Sequence, residues 1–126
     1  MKTKPLTFLL ALTFLFLFSG SSVVFGGDFQ DGVDAYERKD YQEAVKWYRL
    51  SAEQGFALAQ FNLGVRYYNG QGVPQDYVLA HIWFNIAGSN GEKDAVRNRT
   101  LLEKKMSPSQ IEKAQEMARN RKPTSR

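Results

Sequence analysis

A 36-residue shift lays the chain on itself: Asp40 falls on Asp76, Tyr41 on Tyr77, Ala44 on Ala80, Trp47 on Trp83 and Gly55 on Gly91. Tyr48, Leu50 and Ser51 meet the similar Phe84, Ile86 and Ala87. A period of that length with helical spacing inside each copy leaves few architectures open. A hairpin of two helices cannot bury its apolar face alone, so successive copies must stack into a solenoid. A partial copy stands upstream, Gly32 and Tyr36 matching Gly64 and Tyr68 at a spacing of 32. The four residues of difference are loop: "ERKDY" closes the first hairpin tightly, whereas "NGQGVPQDY" closes the second with a longer turn.

Apolar residues recur at steps of three and four, which predicts helices near residues 29–38, 41–53, 57–69, 77–88, 92–104 and 108–119. Asp40 with Glu43 has the spacing of a capping box, and Asp76 stands at the N-cap of the fourth segment. Ala57, Phe61, Gly64 and Tyr68 form one stripe, with Leu63 and Tyr67 beside it. "EKDAVRNRTLLEKK" has only a ragged apolar face, but "SPSQIEKAQEMA" is clean, with Ser107 at the cap, Pro108 in the first turn and Gln110 at the third position. No strand-like alternation appears after the first 26 residues.

Those 26 residues read differently. Lys2 and Lys4 precede "LTFLLALTFLFLF", and the small or neutral series "SGSSVVFGG" follows, the pattern of a secretory signal peptide. The apolar run, Leu6 to Phe18, is shorter than the roughly 20 residues a spanning helix needs. The mature chain is expected to begin near Gly27, outside the cytoplasm, periplasmic or secreted and without stable membrane insertion. Residues 27–120 then form one domain, and 121–126 a basic tail. The whole chain has 17 basic and 13 acidic side chains; without Lys2 and Lys4 the balance is 15 to 13. So small an excess, gathered at the two ends of the last helix, lacks the basic stripe that nucleic acid requires. With zero cysteines no disulfide can staple the domain, and an apolar core must hold it.

The glycines of "YYNGQGVPQDY" invite comparison with a phosphate loop. Such a loop needs a lysine and hydroxyl pair after its glycines, or a strand before them, and neither is present. Gly70 and Gly72 are expected to end a helix and shape a turn, with Pro74 fixing the approach to Asp76. Gly64, inside a helix, is expected where a neighbour carrying Ala44 or Ala80 comes too close for a side chain. Catalytic candidates are sparse. His81 is the single histidine, expected at a partly exposed helical position with no second imidazole or cysteine to share a metal. Asp31 and Asp34 fit a solvated first turn. Ser51, Ser89, Ser107 and Ser109 have no histidine at a partner spacing. Trp47, Tyr48, Trp83, Phe84, Tyr67 and Tyr68 read as inter-helix core, with room for one tyrosine on a groove. No enzyme, cofactor or metal is expected.

The stretch "GFALAQFNLGVRYYNGQGVPQDYVLAHIWFNIAGSNG", residues 55–91, resembles the Sel1-like repeat family, relatives of the tetratricopeptide repeats. Ala57 and Ala59 before Gln60, Leu63-Gly64, Tyr67, Gly70 and Gly72 with Val73, Asp76, Ala80 and Gly91 carry the resemblance. Residues 28–55 look like a degenerate first repeat, and 92 to about 104 like the first helix of a worn third. The resemblance implies an all-α fold, a short α-solenoid of helical hairpins with a C-terminal capping helix, in a small exported bacterial member. It also implies an adaptor of the bacterial envelope that binds a peptide or partner protein on its concave helical surface. The alternatives are a structural, self-associating envelope protein and a hydrolase of envelope material, as proposed for cysteine-rich relatives; the absence of cysteine keeps that branch's properties from being carried over. Asn62, Arg66 and Asn69, on the face the Phe61–Gly64 stripe leaves free, are the candidate partner-binding residues. Arg66 could grip a carboxylate through paired hydrogen bonds and the asparagines could pair with a peptide backbone.

Overall fold

The computed structural model describes residues 27–121. The expected signal peptide, residues 1–26, lies outside them, as does all of the expected basic tail except Arg121. Among the described residues six helices follow one another: α1 (27–37), α2 (Tyr41–Glu53), α3 (Ala57–Asn69), α4 (Tyr77–Ser89), α5 (Lys93–Glu103) and α6 (Pro108–Asn120). No strand occurs among the described residues, and the architecture is the all-α solenoid of stacked hairpins that the repeat requires. Consecutive helices pack from α2 to α5, and α6 folds back onto α4.

Local chemistry sets the helix ends. Asp76 accepts the Leu79 N–H at 3.0 Å, and Ser107 with Gln110 makes a complete capping box. The pair at α2 is only half a box. Asp40 accepts the Glu43 N–H at 3.3 Å, but the Glu43 carboxylate takes the Trp47 indole N–H at 3.1 Å instead of returning to the cap. Gly70 ends α3 in the left-handed conformation at φ 67°, and Gly72 has φ 80°. A Cβ on Gly72 would press into the Tyr41 carbonyl, so the long loop lies flat on the start of α2 because a glycine is there.

The core runs the length of the stack. Ala44, Tyr48, Ala59, Leu63, Ala80, Phe84, Ala95, Leu102 and Ala114 are all buried, alanines standing where helices cross closely and aromatics filling between them. The expectation for Gly64 holds for the α4 side: its missing side chain makes room for the Phe84 ring and the Ala80 carbonyl. The partial copy repeats the device, with Gly32 against the ring of Tyr48. Gln60 is buried yet satisfied, donating to the Ala52 carbonyl at 3.0 Å and accepting from Asn90 at 2.8 Å, which ties the end of α2 to the end of α4.

Candidate partner-binding groove

Between α3 and α5 a groove of about 530 Å³ opens over the ring of Phe84, which α4 supplies as its floor. Val65 and Tyr68 form the α3 wall; Leu101 and Leu102 form the α5 wall. Asn69, Asn98, Lys104 and Lys105 stand around the rim. The apolar floor follows from the repeat, since Gly64 lets α4 come close enough to present Phe84 between the two flanking helices. Leu101 remains 52% exposed at the mouth. Lys105 donates to the Tyr68 hydroxyl and lies 5.1 Å from the centre of that ring, and Tyr68 in turn stacks on Tyr77 at 5.5 Å. The Tyr68 hydroxyl holds the Lys105 ammonium in its charged form, which raises its pKa.

The three candidate residues separate in the structure. Asn69 is exposed and lines the groove. Asn62 lies on the same stripe as Val65 and Asn69, half-buried, with its amide donated to the Leu58 carbonyl at 2.8 Å. Arg66 is not on a free face: it is 5% exposed, with its guanidinium 4.2 Å from the centre of the Tyr36 ring and buried Nε and Nη1 atoms that find no acceptor among the described residues. The reason is that α3 is a middle helix and buries two stripes. The second stripe, Ala59, Leu63 and Arg66, faces into the packing with α1 and α2. The 36-residue register carried the signal, because it lays Ala59 on the buried Ala95 and Arg66 on the buried Leu102.

His81 also departs from expectation. It is 4% exposed, and its Nε2 lies 2.8 Å from Glu103 Oε1. A position lateral in one hairpin is covered here because α5 and α6 both pack on α4. The pair sits in a polar cleft of about 440 Å³ between these helices, where Arg99 also engages the Asn85 side-chain oxygen at 2.5 Å. Asp31 and Asp34 stay on the outside of α1, and no cluster of metal-ligating side chains occurs among the described residues.

Stacked hairpins with an apolar, amide-rimmed groove between successive first helices define a repeat scaffold, a class whose work is binding. The Sel1 repeat model matches residues 29–56 and 57–92, and the chain belongs to that family. It is 34% identical over 65 residues to the chitin synthase regulator SKT5 of Saccharomyces cerevisiae, a match covering 52% of this chain and 9% of the yeast protein. Among solved structures it is similar to c5321, a protective antigen present in uropathogenic Escherichia coli strains displaying an SLR fold. The TM-score is 0.71 at 36% identity, over 75% of this chain and 21% of that one. The chain thus spans only a small part of either relative.

Proposed function

We propose that this chain is an adaptor of the bacterial envelope that binds a peptide or partner protein in the groove between α3 and α5. A general protein-binding scaffold role follows from the family; the surface and the location are our reading. One observation carries it: above the buried Phe84 and Leu102, the groove walls leave Leu101 52% exposed beside the half-buried Val65 and Tyr68, an apolar surface that no other part of the described residues covers. Asn69, of the three candidate residues, makes the direct contact. Asn62 continues the same face one turn away from the groove, and Arg66, packed on Tyr36 of α1, takes no part in it. The signal-like first 26 residues and the likeness to an Escherichia coli antigen support an extracytoplasmic site of action.

Affinity enrichment of the exported protein, followed by titration calorimetry with each purified candidate partner, tests the reading. The expected result is a stoichiometric complex that Leu101→Gln and Asn69→Ala each weaken without lowering the melting temperature. Undiminished binding by the double variant would remove the groove from consideration.

A further inference from the structure

Resting on the scaffold reading, the groove also indicates which kind of partner it takes. We propose that it receives an extended segment of a partner protein in which an apolar side chain stands next to one or two carboxylates. The walls and floor are apolar, and no acidic residue lines them. Lys104 and Lys105 stand together at one end, both exposed. The nearest carboxylate in sequence, Glu103, is turned away onto His81, so it does not neutralise them. Among the described residues the close contacts of basic with acidic side chains are His81–Glu103 and Arg97–Asp94, and neither involves these lysines. Lys105 instead leans on a neutral phenol, a weaker acceptor than a carboxylate. Asn69 on α3 and Asn98 on α5 both line the groove, each offering an amide donor and acceptor to a backbone laid along it.

Charge also decides against a second copy of this chain as the occupant. A two-fold pairing through this surface would lay the same lining on itself, and that lining holds no carboxylate to receive either protomer's two lysines.

The test is selection of a phage-displayed random dodecapeptide library on the full chain, with the leading peptides then synthesised and measured by fluorescence anisotropy. Enriched sequences are expected to share an apolar residue beside Asp or Glu. Charge reversal, Lys104→Glu with Lys105→Glu, should weaken the leading peptide about tenfold or more, and replacing its acids by amides should weaken it on the native chain but not further on that variant. Because both lysines are exposed the fold should be unchanged; if the melt falls, Lys104→Gln with Lys105→Gln takes the place of the reversal. Peptides without acids, or peptides that bind the reversed chain equally well, overturn the proposal and leave the scaffold reading standing. Sedimentation of the chain with phosphatidylglycerol vesicles, dependent on the same lysines and without peptide enrichment, overturns it in favour of a lipid headgroup. Neither peptide enrichment nor sedimentation overturns the scaffold reading as well.

Discussion

Gly64→Ala sets two effects of similar size against each other at one atom. Alanine in place of glycine within α3 gains about 1 kcal/mol of helix propensity. The added methyl, however, would stand 2.7 Å from both Cδ1 and Cε1 of Phe84 and 3.4 Å from the Ala80 carbonyl oxygen. Phe84 is 2% exposed, so its ring cannot swing into solvent and must tilt within a packed core, toward the Phe61 ring 5.8 Å away. Overpacking of that kind typically costs about 1–3 kcal/mol. The expected sum is a destabilisation of about 1 kcal/mol, or about 4–8 °C in melting temperature for a domain of this size. Urea unfolding followed by tryptophan fluorescence and circular dichroism measures it, with the slope expected to stay constant while the midpoint falls. Phe84→Leu should relieve the clash, so the cost of Gly64→Ala should shrink in that background. A Gly64→Ala chain more stable than the native one, with no coupling to position 84, would refute the close contact between α3 and α4.

Arg66→Met should stabilise: it gives up the stacking on Tyr36, worth about 1–2 kcal/mol, but removes two buried nitrogens without acceptors, each costing about 1–3 kcal/mol. A loss of more than about 1 kcal/mol on urea unfolding would show that the guanidinium is well satisfied. Gly72→Ala combines a left-handed φ of 80° with a methyl driven into the Tyr41 carbonyl, and should cost about 2 kcal/mol or more in the same assay; a neutral result would detach the loop from α2. Deleting everything after Lys105 uncovers the α4 face that α6 and Arg121 shield, including Trp83 with Arg121 stacked at 4.4 Å, and should lower the melting temperature and shift tryptophan emission to the red; an unchanged melt would make α6 a free arm. Burial raises the pKa of Tyr48, with Arg66 opposing. The folded state therefore holds that proton more tightly, and stability should be full below the ordinary tyrosine range near 10 and fall as pH rises through the folded value. Tyr48→Phe should flatten the alkaline limb of a pH-dependent urea midpoint.

Helix limits were most legible where local signals and the repeat agreed. Tyr41–Glu53 and Ala57–Asn69 match the spans read from Asp40 and from the Ala57–Tyr68 stripe residue for residue. The half-formed box at Asp40 shows the limit of a motif, since Glu43 had a better donor in the Trp47 indole one turn away. Arg66 and His81 were misread for one shared reason: a stripe on a single helix shows one buried face, whereas a middle helix of a stack buries two. The groove was legible only in part. Asn69 was visible as a groove candidate, and one unspecified tyrosine was allowed on a groove, but Phe84, Leu101 and the lysines come from α4 and from the end of α5 and the turn after it, and no linear pattern brings them together.

The wearing-down of the repeat accounts for where the groove opens. In the second repeat, the position that Leu102 holds in the third is taken by Arg66, whose long side chain reaches over Tyr36 and occupies the inner face. In the third repeat that position is a leucine that stays buried at the base of the α5 wall, and the inner-face tyrosine that precedes it in the stack, Tyr68, is left beside open space. At the far side no further hairpin follows α5 among the described residues, so Val96 and Leu101 stay 41% and 52% exposed, while Val65, the residue Leu101 matches 36 positions earlier, is half-buried. The "ragged" face of α5 therefore has two halves with different fates. Ala95 and Leu102 keep the helix docked on α4, and Leu101 with Lys104 and Lys105 gives up packing within the solenoid for a surface that, on our reading, another chain completes. If so, Leu101→Gln should weaken partner binding while leaving the urea midpoint within about 0.5 kcal/mol of native, as a solvent-facing substitution does. A large loss of stability would place Leu101 in the core and close the groove.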